Sequence, residues 1–405
     1  MPQLGLSNQL TQENNQPAYI YVDSFCVDFD GSNDYLAIGG TTFDDIWVNG
    51  GTISILFRGA PTNGDILLSK KDDGADGWAL SIEDTYTGPI SDIRFLVDWA
   101  GDDLQYQTTA RDIKWNDSQW NHVVITYNSS AFRNTPNFYI NGVDQGLNDD
   151  SVPTSGNSVN SDAASHLVVG AQLNAGSPQN LFLGKISELA IWSSLLTEDE
   201  ALKIHKGYQT QNINLDSDDG TYVSSADLIG WWRMGDSQGD SYPLIQNCAG
   251  LGSVISASGT LIFALSNSLT GFSTYSNGEN ISSGTFETSG SGAGGVQKQT
   301  LTVDKIYQLI YTHNAGDELD IRQADNNGAN AITIVDNHTA SGTVTAVYFV
   351  AKKEYLNFHL DGADESANIF VTQLYEYPPD SAAVMMNMAT ADIVSEDGIV
   401  PITGV

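Results

Sequence analysis

Basic residues and cysteines are scarce in this chain of 405 residues, and each shortage excludes a class of function. Lysine and arginine number 16 against 50 aspartates and glutamates, which gives a formal charge of −34. Such a surface repels phosphate backbones, so we expect no nucleic-acid partner. Secreted disulfide scaffolds carry more than the two cysteines found here, Cys26 and Cys248. We expect two separate buried thiols, although the sequence leaves open whether they pair.

Long apolar runs are absent as well. No stretch approaches the roughly 20 apolar residues of a membrane-spanning helix, and the segment from Met1 has neither the basic start nor the apolar core of a signal peptide. We therefore expect no membrane insertion and no cleaved export signal. The six histidines include no pair four residues apart, and no nucleophile elbow, phosphate-binding loop or Cys-x-x-Cys occurs. The common hydrolase, nucleotide-binding and redox motifs thus find no support.

The middle of the chain instead carries strong β-strand signals. In Trp120-Asn-His-Val-Val-Ile-Thr-Tyr127, apolar residues fall on one face at period two. The dipeptide Asn141-Gly142 predicts a tight hairpin, because it tolerates positive φ at both positions. Residues 182–192 predict another strand. Thr197-Glu-Asp-Glu200 has the spacing of a capping box and predicts a short helix over residues 198–205.

These segments, in this order, resemble the laminin-G-like or concanavalin A-like lectin/glucanase family. The strand, the hairpin and the strand before the closing helix recur there as W-x-H-V-x-x-T-Y, Y-x-N-G and G-x-I-x-E-x-x-I-W. Residues 29–36, 51–55 and 67–80 supply further matching pieces. The resemblance covers residues 21–207 and implies a β-sandwich of jelly-roll type. It does not imply one function, because this fold hosts lectins, adhesion modules, enzymes and structural parts.

A second β-rich block spans residues 260–378. Strand patterns alternate with Gly, Asn and Ser turns and no helical pattern intervenes, which favours a second, smaller jelly-roll sandwich. The predicted strands are 305–311, 318–322, 331–335, 343–350, 355–360 and 368–375. Their order is similar to that of jelly-roll carbohydrate-binding modules. We therefore expect an all-β protein with an N-terminal arm (1–20), a connector (208–259) and a C-terminal tail (379–405).

Two short segments resemble structural proteins of tailed phages, especially marine ones: residues 230–236 and 385–394. The resemblance implies a non-enzymatic virion structural protein, such as a surface decoration, fibre or other appendage, that adheres to host-surface glycans. Its expected partners are copies of itself and other virion proteins, with both termini in subunit contacts. Its expected location is the virion surface. A free-standing calcium-dependent lectin is the alternative, and a glycoside hydrolase is the third reading.

A calcium site is expected because laminin-G-like and pentraxin-like relatives hold Ca²⁺ at the rim of the sandwich. The turn at residues 72–76 offers three carboxylates, from Asp72, Asp73 and Asp76. Calcium requires six to eight oxygen ligands, and acidic turns supply them readily. This turn is therefore a candidate Ca²⁺ site, and the competing interpretation is an acidic turn that arises by chance in so acidic a chain.

Glycan binding requires aromatic platforms beside polar groups. Trp78, Trp120 and Trp192 match core positions of the family and are expected to be buried. Outside this set, the candidate sugar-contacting residues lie on or beside predicted loops of the two blocks: Trp99, Asp102, Trp115 and Asn116 in the first, and Tyr275, Tyr311 and His313 in the second. Core or interface positions are the competing reading, since aromatic residues are also enriched at protein contacts.

The hydrolase reading depends on a triplet of carboxylates. Retaining glucanases of this fold family carry Glu-x-Asp-x-x-Glu on one strand, where alternation directs the acids into one cleft. The nearest match is Glu318-Leu-Asp-Ile-Arg322, which lies in the second block and lacks the third acid. We expect Glu318 and Asp320 to form a solvated strand face with Arg322 as counter-ion. An enzyme is therefore not expected.

Overall fold

The computed structural model describes residues 25–59, 62–72, 76–83, 92–108, 119–154, 157–210, 213–236, 240, 243–249, 260–290, 292–303, 305–377 and 382–395. The arm expected over residues 1–20 lies outside them. The described elements are almost entirely β-strands, as the sequence predicts. In this part of the chain, no helix has the length and apolar character needed to cross a membrane.

The first sandwich contains the described elements up to residue 246. Its elements in chain order are β1 (Phe25–Asp30), β2 (Tyr35–Ile38), β3 (Gly51–Gly59), β4 (Ile66–Lys70), β5 (Trp78–Glu83), β6 (Asp92–Val97), β7 (Leu104–Thr108), β8 (Asn121–Tyr127), β9 (Asn137–Ile140), β10 (Val143–Asp144), β11 (Leu147–Ser151), β12 (Leu167–Val169), β13 (Gln172–Asn174), β14 (Ser177–Gln179), β15 (Leu183–Trp192), α1 (Glu198–Gln209), β16 (Leu228–Trp232) and β17 (Leu244–Gln246). A 3-10 turn at Ser225–Asp227 precedes β16.

The second sandwich follows, and two further strands come after it. The second sandwich contains β18 (Thr260–Ser266), β19 (Ser273–Ser276), β20 (Gly278–Ser282), β21 (Thr285–Thr288), β22 (Gly294–Gln299), β23 (Ile306–Gly316), β24 (Leu319–Ala324), β25 (Ile332–His338), β26 (Val344–Val350), β27 (Tyr355–Leu360) and β28 (Ser366–Tyr377). A 3-10 turn at Asn326–Gly328 separates β24 from β25. The last strands are β29 (Ala382–Met386) and β30 (Ile393–Ser395), with a 3-10 turn at Thr390–Asp392 between them.

Two sheets form the first sandwich. Sheet A has the strand order β10-β9-β8-β3-β15-β1-β30, and β16 also pairs with β15. Sheet B has the order β11-β7-β6-β5-β4-β12-β2-β29-β17. Apolar side chains fill the space between the sheets; the rings of Trp47 and Phe95 meet edge-on at 5.1 Å, and Tyr127 packs on both. Trp78, Trp120 and Trp192 are buried, as predicted.

The hairpin turn and the helix cap that the sequence predicts are both present in the structure. Asn141 and Gly142 adopt φ values of 49° and 77° between β9 and β10, as a primed hairpin turn requires. Thr197 and Glu200 form the expected capping box at the start of α1. The helix runs four residues beyond the predicted end, because Tyr208 is buried and its ring contacts the His122 ring, at 5.1 Å between centroids.

The second sandwich packs two sheets on its own core. Sheet C has the order β20-β21-β28-β23-β26, with β18 also paired to β28, and sheet D has the order β19-β22-β27-β24-β25. Phe286, Leu309, Ile321, Phe358 and Leu374 are fully buried members of this core. All six strands predicted in the block are present, several of them longer by a few residues.

The chain returns to the first sandwich after β28. Strand β29 lies between β2 and β17 in sheet B, and β30 pairs with β1 in sheet A. Strands β16 and β17, from the expected connector, also belong to these sheets. The second sandwich is therefore an insertion in the first, and the described part of the expected tail, 382–395, completes the fold of its own chain instead of projecting as a separate segment.

The two sandwiches share a buried apolar layer, here called the inter-sandwich layer. It joins outward-facing residues of sheet B to residues of the second sandwich: Tyr35, Val168 and Val384 on one side, and Ile306, Val350 and Tyr377 on the other. An ion pair, Lys352 with Asp72 at 3.6 Å, borders it. Sheet B thus presents part of its outer surface to the second sandwich.

Both cysteines are thiols in the structure. Cys26 is fully buried, and its Sγ lies 3.8 Å from the carbonyl oxygen of Val394 in β30. Cys248 is partly buried, with its Sγ 3.8 Å from the carbonyl oxygen of Gln246. The expectation of thiols is therefore confirmed, whereas full burial is found for Cys26 and not for Cys248.

Candidate functional site

Trp99 and Tyr311 are core residues and not sugar platforms. Trp99 is 3% exposed and belongs to the core of the first sandwich, and its backbone bridges to Val159. Tyr311 is fully buried in the core of the second sandwich, and His313 is fully buried as well. The loop positions expected from the sequence are corrected accordingly.

Tyr275 is also closed to a ligand. Its hydroxyl lies 2.8 Å from Nδ1 of His359, and the two rings stack with centroids 5.8 Å apart. The backbone at Gly328 packs against the Tyr275 ring so closely that an added Cβ would lie 2.3 Å from it. Burial raises the pKa of Tyr275 to about 12. This ring therefore joins a strand to a turn and offers no open face to a sugar.

The remaining sugar-contacting candidates are less informative. Asp102 is exposed in the loop between β6 and β7, where the predicted role stays a prediction. Trp115 and Asn116 lie outside the described residues, as does Asp73 of the expected calcium turn. None of these positions therefore defines a site.

The carboxylates of the expected calcium turn are engaged by nitrogen donors. Oδ1 of Asp72 accepts a hydrogen bond from the backbone N–H of Ala175 at 2.6 Å, and Lys352 is its ion-pair partner. Oδ1 of Asp76 accepts from Nδ2 of Asn160 at 2.9 Å. These oxygens thus already have protein partners, and with Asp73 outside the described residues the calcium role of the turn stays a prediction. Among the residues described, no group of three or more His, Cys, Asp or Glu side chains could hold a metal ion.

An unassigned polar surface lies on the outside of sheet B. Ser81, Glu83, Arg94, Gln105 and Gln107 project from β5, β6 and β7, and we name this set the polar face. Nη1 of Arg94 donates to Glu83 at 3.1 Å, Ser81 donates to the same carboxylate at 3.2 Å, and Arg94 also donates to Gln105. The hydrogen bonds hold planar groups with donors and acceptors in fixed orientations.

Strand register explains why these groups gather. Ser81 pairs with Arg94, Arg94 pairs with Gln107, and Gln107 pairs with Asn148 of β11, so one polar row crosses four strands. Residues directly opposite in a sheet carry their side chains on the same face. The half-buried Leu96 lies beside the row, opposite Gln105. The surface therefore combines hydrogen-bonding groups with an apolar contact.

The outer surface of sheet B has two distinct halves. Val168, Ala37 and Val384, at the β12-β2-β29 side, lie in the inter-sandwich layer. Arg94, Gln105 and Gln107, at the β6-β7 side, remain partly exposed. The second sandwich covers the apolar half and leaves the polar half partly exposed.

Sequence reasoning missed the polar face although a signal existed. Asp92-Ile-Arg-Phe-Leu-Val97 and Leu104-Gln-Tyr-Gln-Thr108 alternate strictly, and in the structure every second residue is buried. That period of two predicts a half-buried strand with one open face. The search for aromatic platforms led instead to Trp99, which follows the first of these strands.

A second polar cluster surrounds Arg322 in the second sandwich. Arg322 donates to Asp320 through Nε at 3.1 Å and through Nη2 at 2.5 Å, and to Asp361 at 2.8 Å; Asp361 also lies 3.2 Å from Nε2 of His359. Burial, with the nearby Arg322 charge, lowers the pKa of His359. The predicted counter-ion role of Arg322 is confirmed, but Asp320 is buried and not solvated. Asp320 and Asp361 both pair with the guanidinium group of Arg322, and the three side chains form a structural ion network.

Comparison with known proteins identifies the first domain. Residues 30–201 match the family described as the concanavalin A-like lectin/glucanases superfamily, which confirms the domain that the sequence motifs indicate. No curated protein matches this chain.

Several solved structures are similar to parts of the chain. They include a native heptameric SAP-like pentraxin from Limulus polyphemus, with 16% identity over 45% of this chain and 82% of that chain and a TM-score of 0.34. Domain 4 of a GH43 extracellular arabinanase from Geobacillus stearothermophilus, in complex with arabinotriose, has 18% identity over 44% and 75%, with a TM-score of 0.30. The CBM40 of Ruminococcus gnavus IT-sialidase bound to α2,3-sialyllactose has 14% identity over 44% and 95%, with a TM-score of 0.25.

Proposed function

We propose that the protein is a non-catalytic glycan-binding protein and that the polar face of sheet B is its binding surface. The observation that carries this proposal is the partly exposed row of amide and guanidinium groups on a concanavalin A-like domain. Sugar recognition requires a few fixed donors and acceptors beside an apolar contact. Arg94, Gln105 and Gln107 supply the polar groups, and Leu96 supplies the apolar one.

The charge of the surface favours neutral glycans. Arg94 forms an ion pair with Glu83 at 3.1 Å, so the positive charge of Arg94 is neutralised on the polar face. The whole chain carries −34. Sialylated, uronic or sulfated glycans would meet electrostatic repulsion on approach, whereas neutral hexoses would not.

The carboxylates of the described residues support binding without catalysis. A retaining glycosidase needs two carboxyl groups about 5 Å apart on either side of the bound sugar, one of them free to transfer a proton. Glu83 on the polar face is hydrogen-bonded by Arg94 and Ser81. Asp320, from the nearest match to a catalytic triplet, is buried against Arg322.

For the biological setting, we propose a surface appendage of a particle such as a tailed-phage virion, displayed as a homo-oligomer. Support comes from the resemblance of residues 230–236 and 385–394 to phage structural proteins. In the fold these residues include parts of β16, β29 and β30, and β29 lies between β2 and β17 inside sheet B. The backbone of β29 is therefore paired on both sides within its own chain, and contacts with other subunits would use other surfaces.

A glycan array probed with the whole protein tests the proposal. The expected result is retention of one class of neutral glycans. The double variant Gln105→Ala/Gln107→Ala should lose binding about tenfold or more, since each hydrogen bond to a ligand contributes about 1 kcal/mol. The control is Gln299→Ala, an exposed strand amide of the second sandwich. Equal retention of the double variant and the control would contradict the assignment of the polar face.

A further inference from the structure

A buried lysine joins two loops at the rim of the first sandwich. Lys70 ends β4, and its side chain is 2% exposed. Its Nζ lies 2.6 Å from the carbonyl oxygen of Ser165, 2.7 Å from Oδ1 of Asp44, and 3.0 and 3.4 Å from the carbonyl oxygen and Oδ1 of Asp162. Four oxygens from three residues therefore surround one ammonium group. We name these oxygens the oxygen cage.

Further hydrogen bonds tie the same loops together around the oxygen cage. The backbone N–H of Asp45 donates to Oδ1 of Asp162 at 2.9 Å, and the N–H of Asp162 donates to Oδ1 of Asp45 at 3.1 Å. Ser161 donates to Oδ2 of Asp45 at 3.0 Å. The carboxylates of Asp45 and Asp162 are thus held in place by backbone amides, and Lys70 supplies the positive charge between Asp44 and Asp162.

The oxygen cage has the composition of a hard-cation site. Carboxylate and backbone carbonyl oxygens are the ligands that Ca²⁺ takes in proteins. A buried pair of carboxylates is unfavourable without a compensating positive charge. Burial raises the pKa of Asp162, and the ammonium of Lys70 opposes that shift. The carboxylates of Asp44 and Asp162 require a positive charge between them, and the side chain of Lys70 provides it.

Neighbouring acids of the rim are neutralised in the same way. Lys71 forms an ion pair with Asp98, and Lys352 of the second sandwich forms one with Asp72. Three of only 16 basic residues in the chain therefore serve this rim. At these three positions a lysine ammonium group therefore supplies the positive charge that a calcium ion would otherwise supply.

We propose that Lys70 is a built-in cation that replaces a rim calcium ion, so that the loops at residues 41–50 and 157–166 are held together without a metal. The same oxygen cage becomes a Ca²⁺ site when the ammonium is removed. While Lys70 is present, its charge repels any divalent ion from these oxygens. The first sandwich is thus independent of metal supply and of chelators.

Two substitutions at Lys70 separate charge from packing. Lys70→Ala removes the ammonium and leaves room for an ion and its waters. Lys70→Met also removes the charge but fills much of the space with an apolar chain. Both variants should unfold at a lower temperature than the natural protein in the presence of chelator. Millimolar Ca²⁺ should raise the unfolding temperature of Lys70→Ala and leave that of Lys70→Met unchanged.

The natural protein provides the first half of the test. Its unfolding temperature should be the same with chelator and with Ca²⁺. Calorimetric titration with Ca²⁺ should give the same heats for the natural protein and for Asp162→Asn, because the natural oxygen cage binds no Ca²⁺. A fall with chelator would overturn the proposal. Indifference of Lys70→Ala to Ca²⁺ would overturn the oxygen-cage assignment. If Lys70→Ala does not fold with chelator, it is refolded with Ca²⁺: recovery supports the assignment and failure overturns it.

Discussion

Replacing Val384 by aspartate tests the claim that the last strands are structural parts of the first sandwich. Val384 is fully buried in β29, opposite Ala37 on one side and Leu244 on the other. The change loses the burial of a valine side chain, about 2 kcal/mol. It also places a carboxylate without a partner in an apolar layer, which costs about 2 kcal/mol or more. The sum of about 4 kcal/mol is a large part of the ~5–15 kcal/mol that stabilises a domain.

Tryptophan fluorescence during urea unfolding is the suitable assay. All eight tryptophans precede residue 233, so the signal reports on the first sandwich. With a urea slope of about 3 kcal/mol per molar, the midpoint should fall by about 1 M. The control is Val223→Asp, the same change at a side chain that is 59% exposed. Equal midpoints for the two variants would refute the reasoning, because residues 382–386 would then contribute nothing to the fold.

Two further predictions concern buried charges. Glu188→Gln removes the carboxylate that accepts from Nε of Arg233 at 2.8 Å and from the Trp231 indole at 2.5 Å. Thermal unfolding should show that the free energy of unfolding falls by about 3 kcal/mol. The exposed control Glu198→Gln should show no such loss. Burial lowers the pKa of His205 from 6.5 to about 4, so between these values the unfolded chain binds a proton that the fold excludes. Stability should therefore fall by at most about 3 kcal/mol as pH drops through that window, and less in His205→Phe; parallel pH profiles would contradict this.

Features encoded by neighbouring residues were predictable. The Asn141-Gly142 turn depends on two residues that tolerate positive φ, and both have it. The capping box of Thr197 and Glu200 depends on four consecutive residues. Burial of Trp192 follows from its place in a family motif. In each case the determinants lie within a few positions of one another, so the sequence is sufficient.

Features that depend on distant segments were not predictable in the same way. Trp99 flanks a predicted loop in the sequence, whereas in the structure it is buried and its backbone bridges to Val159, 60 positions away. Strand β29 joins β2 across more than 340 residues, a pairing that no local pattern encodes. The polar face requires the register of three strands, although the alternation around Arg94 was visible in the sequence.

The most direct test of the central claim is a crystal structure of the whole protein with the neutral glycan that the array retains most strongly. The account predicts a sugar ring beside Leu96, with its hydroxyl groups within hydrogen-bonding distance of Arg94, Gln105 and Gln107. A sugar bound at the rim near Asp72, or in the second sandwich near Arg322, would contradict the assignment of the polar face.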